Sequence, residues 1–252
     1  MVSSSHSLEL DKPNVSDFPK IIQGGMGIAV SGYKLANAVG RAGQMGVVSG
    51  TVIDVVHARE LANGDPTGDL RRAYSHFPLP EMAQRVLDTY FIEGGKDPKK
   101  PYSPVPTWEV DPPQSLIELC IVANFAEVFL AKENHSNAIG INYLEKIQLP
   151  VIASTLGAML AGVDAVIMGA GIPKQMPKLI RDLHEGKTAE YKINVDGALP
   201  DESFSISLNP QDILGKEIPL KKPSFLPIVS SNTLASFLLK DEESIPDGFA
   251  IE

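Results

Sequence analysis

Residues 21–27 read Ile-Ile-Gln-Gly-Gly-Met-Gly, an apolar stretch that runs straight into a glycine corner at Gly24, Gly25, Met26 and Gly27. A second junction of the same kind follows at Val47-Val48-Ser49-Gly50-Thr51. Glycine has no Cβ, so main chain at such corners can approach other main chain, or a flat or phosphorylated ligand, closely. In α/β proteins the carboxyl ends of strands are where ligands sit. The chemistry suggested is therefore the holding of a cofactor.

Side-chain catalysis finds little support. His57 and His184 fall in expected helices on surface faces, His76 ends a helix before Pro78, His135 sits in a polar loop, and His6 lies in the N-terminal tail. None is expected at a strand end. No Ser/His/Asp arrangement, P-loop or metal-spaced cluster is present. The one cysteine of the chain, Cys120, excludes an intrachain disulfide and reads as a buried structural thiol.

Composition narrows the partners. The chain has 252 residues, 43% of them hydrophobic and 21% charged, with a net charge of −9. These values suit a globular protein, and no basic stripe marks a nucleic-acid partner. Lys96, Lys99 and Lys100 fall in a Gly/Pro-rich loop and are expected to be solvated. The apolar stretch 116–131 is interrupted by Glu118, Asn124 and Glu127 and is expected to fall short of a membrane span. The N-terminus is polar and Ser-rich with no apolar signal core, which makes the cytoplasm the expected location.

The elements that must position the corners alternate. Residues 1–18 read as a flexible lead-in to one domain over 19–252. Strands are expected at 19–27, 44–50, 138–142, 165–168, 225–229 and 249–252. Helices are expected at 33–42 (inner face Leu35, Ala36, Ala38 and Val39), 115–133, 148–162, 174–185 and 233–239. The 148–162 helix carries Ala and Gly at spacings suited to close packing. An insertion over 54–113 interrupts the alternation with short helices near 55–63, 68–76 and 81–90 and a proline-rich crossing. Alternating segments at 191–195 and 204–208 predict a β-hairpin within 190–209, decorating the outside. Strands alternating with helices imply a parallel sheet.

The corners, taken in order, resemble the nitronate monooxygenase (2-nitropropane dioxygenase) family. Residues 21–27 are similar to its N-terminal flavin loop and 43–50 to its second strand. Ile139-Gly140-Ile141-Asn142 is similar to the third strand, whose terminal Asn faces the flavin. Residues 168–173, with Gly169 and Gly171, and 228–235, with Ser230, resemble the fourth and fifth strand ends. Residues 247–252 resemble the strand that carries the family's Ala-Gly-Gly-His segment. The resemblance implies an α/β fold of the (β/α)8 TIM-barrel type, here truncated after five to six strands.

What the resemblance implies is an FMN enzyme that oxidises alkyl nitronates, or a related small anion, with O2. FMN would rest on Gly24, Gly25, Met26, Gly27, Gly50, Asn142, Gly169, Gly171 and Ser230. Asn142 could serve the flavin's polar edge or cap a strand end; Gly169 and Gly171 could open space or serve packing; Ser230 could meet ligand or cap the next helix. The family's catalytic histidine and phosphate loops follow the last matched strand. The chain is thus expected to correspond to the N-terminal half of such an enzyme, without turnover of its own and with self-association. A flavin-dependent enoyl-acyl-carrier-protein reductase and a non-catalytic half-barrel binding module are the alternatives.

Overall fold

The computed structural model describes residues 17–199 and 201–252. The expected lead-in at 1–18 lies, but for its last two residues, outside the described residues. The elements run α1 (Tyr33–Arg41), β1 (Gly46–Ser49), α2 (Ile53–Ala62), α3 (Asp69–Ser75), α4 (Pro80–Tyr90), α5 (Gln114–Lys132), β2 (Ile139–Leu144) and α6 (Val151–Leu160). They continue with β3 (Ala165–Gly169), α7 (Met176–His184), β4 (Ala189–Ile193), β5 (Phe204–Leu208), α8 (Pro210–Leu214), β6 (Ser224–Val229), α9 (Asn232–Leu238) and β7 (Ala250–Ile251). Five strands form one parallel sheet in the order β1-β2-β3-β6-β7, curled as a half-barrel.

The expected first strand is the main departure. Residues 19–27 form no strand, and among the described residues their ladder pairing is the single Ile22–Met45 bridge just before β1. Gly25 at φ +67° turns the chain away as the corner begins. Glycine takes this left-handed conformation readily, and continued ladder pairing does not.

Each sheet strand feeds two cores, because successive side chains point to opposite faces. Met45, Val47, Ala165, Ile167 and Leu226 cluster on the concave face. Val48, Ile139, Ile141, Tyr143, Val166, Met168 and Phe225 point outward into a larger core shared with the helices.

Helix α5 is the axis of that outer layer. Its apolar residues run around all sides, as expected of a buried helix, and its interior positions include Cys120, Asn124 and Glu127. At 19 residues it reaches the length and apolarity of a membrane span, contrary to the sequence expectation, but most of it is packed inside the fold. Helix α6 crosses it closely, since a Cβ on Gly157 would strike the Ile121 carbonyl.

Insertion helices α2, α3 and α4 pack on α5, which corrects the expected surface position of His57. His57 is 1% exposed, and its Nε2 lies 2.9 Å from Glu127 Oε2. The inner face expected for α1 also shifts: Ala36 and Gly40 are buried, while Leu35 and Ala38 are exposed. The hairpin forms as a separate antiparallel pair, β4 with β5. Its inward residues Ala189, Tyr191, Ile206 and Leu208 join the outer core rather than standing clear of it.

At the amino end of the sheet, Asp164 gathers three strands. Its carboxylate accepts from Lys132 Nζ at 2.7 Å, Lys221 Nζ at 2.8 Å and the Ile139 amide at 2.9 Å. Burial pushes the carboxyl up, but the Lys132 ammonium and these hydrogen bonds more than reverse that and hold it below the usual carboxylate range.

Candidate functional site

The carboxyl ends of the sheet strands enclose a cleft of about 250 Å³, lined in part by Gly25, Met26, Asn142 and Gly169. These four come from three separate stretches of sequence. Register explains the meeting. Asn142 pairs with Ser49, the last residue of β1, and with Ile167 on β3, while Leu144 pairs with Gly169 at the ends of β2 and β3, so Ser49, Asn142 and Gly169 all lie within two residues of the carboxyl ends of their strands.

Asn142 is 5% exposed, and its Nδ2 donates to the Gly24 carbonyl at 2.8 Å. That bond pins the corner over the strand ends and brings Gly24 to the rim. A Cβ on Gly25 would collide with Val47, and one on Gly169 would come within 2.9 Å of Ile228 Cδ1. Both sites therefore require close approach. Gln23 adds an unusual feature: its Oε1 accepts from the Val47 amide at 3.3 Å, while its buried Nε2 has no partner. A buried donor left unpaired is costly and rare in native structures.

The remaining expected residues lie elsewhere. Gly50 is out of phase with Ser49 and Thr51, so it faces outward; a Cβ there would strike the Tyr143 ring. Gly27 closes a turn by accepting from Val30 and Ser31 through its carbonyl. Gly171 abuts the Glu145 carboxylate, and Ser230 is exposed beyond β6. Its neighbour Ser231 takes the capping role, accepting from the Leu234 amide at 3.2 Å.

The cleft also includes Ser49, Thr51, Leu144, Ala170, Ile228 and Glu252, none of which was expected. Strand parity was the signal for Ser49, Thr51, Leu144 and Ile228, since each lies an even number of residues from an inward neighbour. Ala170 holds φ +58°, a left-handed conformation costing a non-glycine residue about 1–2 kcal/mol. Strain of this kind concentrates at ligand sites.

Among the described residues that line the cleft, Glu252 alone is ionisable. The cleft can present backbone, one carboxamide and two hydroxyls to a neutral, flat ligand. It offers no cation to an anionic group. In comparisons with known proteins, the chain matches no family model and no curated protein.

Proposed function

We propose that this chain is the flavin-holding part of an FMN-dependent oxidoreductase of the nitronate monooxygenase type, built on a (β/α)8 plan. The observation that carries the reading is the Asn142–Gly24 hydrogen bond, which closes a glycine corner over the carboxyl ends of β1, β2 and β3. Gly25 and Gly169 let the corner and the β3 end pack against Val47 and Ile228 with bare backbone at the cleft, and Met26 supplies a soft apolar contact.

A bound flavin supplies electron transfer between a small organic substrate and oxygen. This chain's residues would bind and orient the ring, and among the described residues that line the cleft the Glu252 carboxylate is the single ionisable group. They fit the ring and not the phosphate, because no Lys, Arg or His lines the cleft among the described residues. That no histidine lines the cleft among the described residues also suits a second reading, a binding module without turnover.

The test is absorption spectroscopy after FMN or riboflavin addition and desalting. Retention of both, with dissociation constants within about threefold of each other, is the expected result. Retention of neither would overturn the flavin reading. Oxygen uptake with propyl-2-nitronate then separates the oxidoreductase from the binding module.

A further inference from the structure

A second cavity, of about 390 Å³, lies behind the strand-end cleft, between the sheet and the helix layer. Its floor is Tyr143 on β2, Cys120 and Asn124 on α5, and Ser154 on α6, and the proline-rich crossing with Trp108 forms its cover. A volume of this size lies within the range of natural small-molecule sites.

The polar groups of the floor are already engaged with one another. Tyr143 Oη lies 3.1 Å from Asn124 Oδ1 and 3.0 Å from the Ser154 carbonyl. Cys120 Sγ lies 3.2 Å from Ser154 Oγ, and Asn124 Nδ2 donates to the Cys120 carbonyl at 2.9 Å. Burial pushes both the Cys120 thiol and the Tyr143 phenol up, so both stay neutral. The cover is tied down by Trp108 Nε1, which donates to Asp54 Oδ2 at 2.8 Å.

Two consequences follow for an occupant. No floor group is left asking for a hydrogen bond, so an apolar body loses nothing by entering. No Lys, Arg or His lines the cavity among the described residues, and the Asp54 carboxylate does. A buried anion would meet an unfavourable charge and no compensation.

We infer that this cavity is a binding site for an uncharged apolar chain, with the polar end of the ligand directed toward Thr51 and Leu144. Those two residues line the strand-end cleft as well, so the two spaces are neighbours. The site stands whether or not the cleft holds a flavin.

Trp108 is the single tryptophan of the chain, which makes its emission a direct reporter of the cavity. The experiment titrates flavin-free protein with 1-octanol and, separately, with octanoate. The expected result is a saturable change in Trp108 emission with octanol, accompanied by protection from acrylamide quenching. Octanoate binds at least tenfold more weakly. Val105→Phe, which fills the cavity from its cover, weakens octanol at least tenfold. A non-saturable response, equal binding of octanoate, or unaltered binding in a folded Val105→Phe protein would overturn the proposal. The octanol–octanoate comparison needs only the native chain, so it decides the matter even if the variant fails to fold.

Discussion

Asn142 Nδ2 and the Gly24 carbonyl, 118 positions apart in sequence, meet at 2.8 Å and hold the glycine corner against the strand ends. Removing this donor leaves a carbonyl without its partner in a partly buried place. Asn142→Ala is expected to destabilise the protein by about 1–3 kcal/mol and to lower Tm by about 2–4 °C for each kcal/mol. Flavin retention should fall in parallel. Thermal melting and the desalting assay check the two effects separately.

Gly25 and Gly43 share a left-handed backbone but differ in what surrounds them. Gly25 sits at φ +67° against Val47, whereas Gly43 sits at φ +77° with open space around it. Gly43→Ala should therefore cost only the conformational term, about 1–2 kcal/mol. Gly25→Ala adds overpacking of about 1–3 kcal/mol. Denaturant melts of the two variants should differ by that second amount. Equal losses would show that the corner yields freely.

The buried pair of His57 and Glu127 is a further point of vulnerability. Glu127 accepts from His57 with one oxygen and from the Tyr33 amide, at 2.6 Å, with the other. His57→Ala leaves the carboxylate buried with half its partners, and losses of about 3–5 kcal/mol are typical of such breakage. The double variant His57→Leu/Glu127→Leu should be less destabilised than the sum of the two single Leu variants. A double-mutant cycle measured in urea gives the coupling directly.

Asp164 should govern part of the acid response. Its carboxyl is held below its ordinary value in the folded protein, so the stability it contributes is fully present above the unfolded value of about 3.9 and is lost as pH falls through the lower folded value. Asp164→Asn is expected to lower stability near neutral pH by about 1.5–3 kcal/mol. It should also flatten the acid limb of a stability–pH curve. Melting curves from pH 2 to 7 test both, and an unchanged acid limb would assign that limb to other carboxylates.

Alternation of strands and helices was legible in the chain because both faces of the sheet are buried, which leaves continuous apolar runs such as residues 45–48 and 165–168. The insertion helices were equally clear, and Pro80 marks the start of α4. Residues 19–27 misled because an apolar run before glycine reads as a strand, while the pairing that would make it one depends on a single bridge. Gly50 turns toward Tyr143 rather than the cleft, a direction that composition does not reveal because it marks a corner but not the face it turns to. His57 hid its partner because Glu127 lies 70 positions away on a different helix. The Trp108 cavity left no local signature, since its floor and cover come from four separated stretches.

The alternation that sends Val47 and Ile167 to one side of the sheet and Val48 and Val166 to the other has an energetic corollary. The concave cluster and the helix-side cluster hang from the same backbone ladder, so neither can loosen while the other stays dry. Amide protons along β1, β2 and β3 should consequently exchange as one block, at the rate of whole-molecule opening. The chain thus behaves as one melting unit whose weakest plank sets the lifetime of both of its interiors.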